Sequence, residues 1–210
     1  MFKNIVAAWS PNQNLGIKQI FRAFGALIVF AGLATGLCGE ARAQNQAPQR
    51  ERSRADETLE VWNEIGNKLV VMAKDFPDDK YDFKVQKDQR TFAQNILHVA
   101  AVDYEVLRSV AGSNVGPDFG KDVENPSRSV YKTKADVIKL IQQAVMDGAN
   151  LIQKQGDAGL DKTSKYPWSN RLVHNSYLWM VLDEHSGEHY GQLVVYYRAN
   201  NLVPPESRPH

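Results

Sequence analysis

The stretch on which the fold turns is Leu178-Trp179-Met180-Val181-Leu182-Asp183-Glu184-His185-Ser186-Gly187-Glu188-His189-Tyr190-Gly191-Gln192-Leu193-Val194-Val195-Tyr196. Within it Leu178, Leu182, His185, His189, Gln192 and Tyr196 follow at spacings of four, three, four, three and four. That is the rhythm of a helix face turned into a bundle core. Two of the positions are histidine. A buried imidazole without a partner costs on the order of 1–3 kcal/mol. One turn apart, the rings of His185 and His189 lie on the same side of the helix, close enough to share a metal ion.

Three further amphipathic segments precede this one. A first helix is expected after Asp56, with Leu59, Trp62, Ile65, Leu69 and Met72 on one face and Phe76-Pro77-Asp78-Asp79 ending it. A Tyr81-Asp82-Phe83 element in the following loop is placed to pin it to the bundle. The second helix runs from about Gln89 to Ala111, burying Phe92, Ile96, Val99, Val106 and Val110 and carrying His98. After a connection from Gly112 to about Lys132, Thr133 and Asp136 form a capping-box pattern. The third helix extends to about Gln155 with Val137, Ile141, Ala144, Gly148 and Leu151 in line. The last helix is expected from Asn170 to Asn200, stopping before Pro204-Pro205. No stretch alternates as a strand would, and nothing repeats. The reading is all-α, a four-helix bundle with long connecting loops.

Outward from the bundle, the N-terminus reads as a leader. Lys18 and Arg22 precede an apolar run from Ala23 to Cys38, and Ala41-Arg42-Ala43 follows. This is the pattern of a secretory signal peptide over residues 1–43, cleaved near Ala43. The run is short for a stable span, which needs about 20 residues, so a retained anchor is the lesser alternative. Residues 44–55 form a polar linker, and the domain covers 56–209. Cleavage removes Lys3, Lys18, Arg22, Arg42 and Glu40, turning the net charge of +1 into −2. Nothing in that balance points to nucleic acid, or to stable membrane insertion after cleavage. The one cysteine, Cys38, leaves with the leader. The exported chain, periplasmic or secreted, then has no disulfide and no thiol chemistry of its own.

The string His185-Ser186-Gly187-Glu188-His189 matches the inverted zinc-protease pattern H-x-x-E-H. That pattern needs a carboxylate ligand far downstream, and only Glu206 follows. The chain is also too small, and the reading is rejected. A third ligand is better sought upstream, where His98 occupies a helix able to face the last one across the core. Glu105 and Gln192 are weaker additions, Gln192 as a residue that orients a bound water or ring. His174 lies about three turns from His185, too far to share an ion. Gly187 and Gly191 read as points of close helix packing. Trp168, Tyr177, Trp179, Tyr190, Tyr196 and Tyr197 are assigned to core or interface before pocket.

Two stretches resemble the DinB-like (damage-inducible) proteins. One is Thr91-Phe92-Ala93-Gln94-Asn95-Ile96-Leu97-His98-Val99-Ala100. The other is His185-x-x-x-His189-Tyr190-Gly191-Gln192-Leu193 with Tyr197-Arg198 and Val203-Pro204-Pro205-x-Ser207. The resemblance implies a bundle in which three histidines, here His98, His185 and His189, bind a divalent metal, often within a homodimer. Relatives include metal-dependent transferases that use small thiols, and proteins that look like hydrolases.

Three imidazoles leave a coordination position open, the catalytic pattern for zinc. Zinc or nickel is the first expectation, with iron, cobalt and manganese also admitted. Small thiol cofactors are generally cytosolic, whereas this chain carries an export leader. A metal-dependent hydrolase acting on an unknown small molecule is therefore placed before a thiol-dependent S-transferase. A non-catalytic metal-binding stress protein is the third reading.

Overall fold

The computed structural model describes residues 51–209. The expected leader, most of the expected linker and His210 lie outside them.

Helix α1 spans Arg54–Asp75, and α2 spans Phe92–Ala111. Helix α3 spans Lys134–Leu160, and α4 spans Asn175–Ala199. Together they form the expected four-helix bundle. Helix α1 packs on α3, α3 on α2, α2 on α4 and α4 on α1. The consecutive pairs α1/α2 and α3/α4 are therefore diagonal, which the long connections allow. The site depends on one of the lateral contacts, α2 against α4.

Helix starts follow local chemistry more closely than the apolar period does. Helix α1 begins before Asp56, because the Ser53 hydroxyl accepts from the Asp56 amide at 3.0 Å and caps it. Two long-range ties hold that first turn: the Ala55 amide donates to Asp157, and the Arg54 guanidinium pairs with Asp161. Helix α2 begins at Phe92 rather than Gln89. Thr91 and Gln94 close a reciprocal capping box there, at 3.1 and 2.8 Å. The Thr133/Asp136 box expected from the sequence caps α3.

Helix α3 does not stop at Gln155. It breaks at Gly156 (φ 58°, ψ −163°), a conformation almost confined to glycine, and resumes for one further turn. The connection to α4 holds a small antiparallel pair, β1 (Thr163–Lys165) and β2 (Leu172–His174), where no strand was expected. The strands are too short to leave a period. They delay the start of α4 to Asn175, whose side chain donates to the Gly159 carbonyl.

Close helix packing occurs between α1 and α3, at Gly66 and Gly148, and not at Gly187 or Gly191. A Cβ on Gly148 would run into the Trp62 ring, whose indole N–H donates to the Val145 carbonyl at 2.8 Å. Among the described residues nothing beyond α4's own local backbone lies within 4 Å of a Cβ on Gly187 or Gly191. At one end of the bundle Phe76 stacks on Phe92 with ring centroids 3.9 Å apart. Tyr81 and Tyr197 pack edge-on around them. Such pairs add about 0.5–1.5 kcal/mol beyond the area they bury. They fix the start of α2 against the end of α4, below the histidines. Among the described residues no helix is long and apolar enough to cross a membrane.

Candidate metal centre

His98 from α2 and His185 and His189 from α4 converge where these helices pack. One ring nitrogen from each lies within 4.8 Å of the other two. Among the described residues no other group of His, Cys, Asp or Glu converges in this way. His98 and His189 are buried, at 7% and 5% exposure, and His185 is half-buried.

Two of the rings are held by their outer nitrogens. The Nδ1–H of His98 donates to the Glu124 carbonyl at 2.7 Å, and that of His189 to Asn95 Oδ1 at 3.1 Å. Both bonds assign the proton to Nδ1 and leave the Nε2 lone pair free, as a ligating imidazole requires. His185 Nε2 lies 3.2 Å from His98 Nε2, and its Nδ1 is buried without a partner. The two Nε2 atoms face one another at the separation that two ligands of one cation take. Two nitrogens at zinc–nitrogen distances of 2.0–2.1 Å and a tetrahedral angle stand about 3.3 Å apart. The donor set and its spacing fit a divalent ion.

The site is also electrostatically prepared for one. Burial lowers all three imidazoles: His98 falls below its ordinary value, His185 is pushed down to about 4 and His189 to about 3. Proximity of the rings to one another adds to the effect at His185 and His189, and the Arg90 guanidinium lowers all three further. Near neutrality the cluster presents uncharged nitrogens.

The structure brings the three expected histidines together and leaves the other candidates apart. Glu105 pairs with Arg108. His174 bonds the Asp161 carbonyl. Glu188 is exposed, on the rim of a cavity of about 250 Å³ beside His98 and His185 that Tyr166 and Trp168 also line. Gln192 is exposed, so the buried seam passes from His189 to Leu193. Its side chain still approaches His189 and lines a cleft of about 670 Å³ with Arg90, Asn95 and Tyr196.

Asn95 and Glu124 had no assigned part in the sequence reading. Asn95 precedes His98 by one helical turn, on the same face, and that spacing was the available signal. Glu124 acts through its backbone carbonyl, for which residue identity gives none. One acid on each of α2 and α4 is also shifted by burial. Asp103, wholly buried on α2, has its carboxyl held well above the usual range by burial and by neighbouring Asp183. Burial raises Asp183 to about 6.

The fold and the sequence have relatives. YfiT from Bacillus subtilis, described as a probable metal-dependent hydrolase with an unusual four-helix bundle topology, superimposes with a TM-score of 0.53. The match is 15% identical and covers 74% of this chain and 94% of that one. No curated protein is significantly similar in sequence. The profile of the DinB superfamily matches residues 61–193, the bulk of the bundle and all three histidines. The chain belongs to the DinB superfamily.

Proposed function

We propose that this protein is a metal-dependent hydrolase whose divalent ion is held by His98, His185 and His189. The observation that carries the reading is the convergence of three neutral ring nitrogens, two of them on rings locked through Nδ1 by Glu124 and Asn95. Bound there, a divalent ion supplies Lewis acidity and a water whose pKa falls towards roughly 7. The residues of the chain do the rest. Glu124 and Asn95 set the ring orientations, burial keeps the imidazoles uncharged, and the flanking cavities admit a small molecule. Hydrolysis places the hydroxyl of water on the electrophilic atom and its proton on the leaving group.

Zinc and nickel suit the all-imidazole set best. The leader read over residues 1–43 supports an exported mature chain beginning at Gln44, away from cytosolic thiols. That favours hydrolysis over S-transfer. A homodimer is part of the proposal through the family resemblance.

The test is elemental analysis of untagged mature protein beside a His185→Ala/His189→Ala variant, after exposure to a limiting panel of divalent metals. About one equivalent retained by the native chain and lost in the variant supports the centre. Ester and amide panels are then compared with thiol-consumption assays on the loaded protein. Thiol consumption without hydrolysis assigns the transferase reaction instead, and metal retention with neither assigns storage. Mass spectrometry of the exported chain reads the cleavage site, and light scattering reads the assembly.

A further inference from the structure

Arg90 is anchored at both ends of its length and left open at its tip. Its carbonyl accepts the Tyr196 hydroxyl, and its Nε–H donates to Asn125 Oδ1 at 3.0 Å. Asn125 is held in turn by Asp122, to which its Nδ2 donates at 2.9 Å. Among the described residues the two terminal amino groups of the guanidinium have no hydrogen-bond partner and no carboxylate within ion-pair distance. An arginine fixed through Nε, with both terminal amines unspent, is a fork set for a planar anion.

Its surroundings face the same way. Arg90 lines the cleft of about 670 Å³ with Asn95, Gln192 and Tyr196, a volume suited to a small organic ligand. Asn95 joins this cleft to the histidines through its bond to His189. The guanidinium charge reaches all three imidazoles and disfavours their protonation. Asp88 lies on the same cleft but makes no ion pair with Arg90. With the imidazoles uncharged, a divalent ion in their midst would make the whole cleft strongly positive.

We propose that Arg90 is the specificity residue of this centre, binding a carboxylate or phosphate on the substrate while the bond to be hydrolysed lies at the histidines. The substrates are therefore small anionic molecules and not neutral ones. Gln192, exposed on the same cleft and carrying its own amide donors, offers the anion a second contact. The substrate class rests on the hydrolase reading, whereas the anion site itself is independent of it.

The binding test uses metal-free protein, labelled with nitrogen-15 and titrated with succinate and, separately, with inorganic phosphate. The readout is the NMR shift of the Arg90 Nε–H and the Gln192 side-chain amide. Saturable shifts are expected, with affinity reduced tenfold or more in Arg90→Gln. The anion that binds more tightly names the source as carboxylate or phosphate. Arg90→Lys keeps the charge and removes the fork; a several-fold weakening is expected, and this variant carries the test if Arg90→Gln misfolds. Absence of a saturable shift with both anions, or native affinity in the folded variants, overturns the proposal. Metal content is measured on matched samples reloaded with zinc. Metal retention without anion binding sinks this inference alone, and anion binding without metal retention sinks only the hydrolase reading.

Discussion

Asn95 and His189, on different helices, are joined by a 3.1 Å hydrogen bond that fixes which nitrogen of the imidazole faces the centre. The amide has no freedom to turn. Its Nδ2 donates to the Thr91 carbonyl at 3.2 Å and to the Tyr196 hydroxyl at 3.1 Å, so Oδ1 must meet the ring. Removing such an outer partner typically costs 10- to 100-fold in metal affinity. Asn95→Ala is expected to lose metal within that range in chelator competition while its helix content holds. An unchanged affinity would show that the ring needs no such support.

The depressed imidazoles make the metal-free protein sensitive to acid. Unfolded histidine titrates near 6.5, whereas His189 in the fold titrates near 3. Above pH 6.5 the ring is neutral in both states and contributes no pH dependence. As the pH falls below that value the unfolded chain takes up a proton that the fold refuses. Stability should then drop by up to about 1.4 kcal/mol per pH unit for this one residue. Urea denaturation from pH 7 to 4 measures the slope, and His189→Ala should flatten it. An identical slope in the variant would remove the histidine as its cause.

Asp103 acts in the opposite sense. Its carboxyl is raised, so it is protonated in the fold and ionised once the chain unfolds near neutrality. Its contribution is intact below pH 3.8 and is lost as the pH climbs towards its folded value. Its Oδ1 has no partner, and an unsatisfied buried polar atom costs on the order of 1–3 kcal/mol. Asp103→Asn removes the ionisation at nearly the same shape. It should raise the melting temperature more at pH 8 than at pH 4, and a uniform shift at both would refute the assignment.

The glycines separate packing from propensity. Gly148→Ala drives a methyl into the Trp62 ring and should destabilise by about 1–3 kcal/mol. Gly187→Ala meets open space on an exposed helical face and should stabilise by about 0.4–1 kcal/mol. Denaturation midpoints of the two variants are expected to move in opposite directions.

The helices were legible because their apolar residues recur on one face. Trp62, Leu69 and Met72 are buried on α1, and Val137, Ile141 and Ala144 on α3, as their spacing requires. His185 and His189 were legible for the same reason, being polar residues on an apolar stripe, whereas His98 was reached as an upstream candidate and through the family resemblance. What escaped belongs to interactions that leave no period. Ser53 caps a turn whose apolar face has not begun, Gly156 breaks a helix through one torsion, and β1/β2 pair over too few residues to alternate. Arg90 escaped because its part depends on what its terminal amines lack.

Glu124 orients His98 through its carbonyl, and its side chain accepts the Trp168 indole N–H at 2.7 Å. The irregular connection between α2 and α3 thus has one position whose tie to the imidazole is indifferent to residue type, its side chain serving only the separate bond to Trp168, but whose place is fixed. Any amino acid except one that distorts the backbone can present that carbonyl, whereas a single insertion or deletion nearby would swing it away from the ring. At position 124 metal binding should tolerate substitution while the segment resists changes of length, which surface loops usually accept. For anyone grafting or redesigning the bundle, the tether has to be copied by its contour and not by its letters.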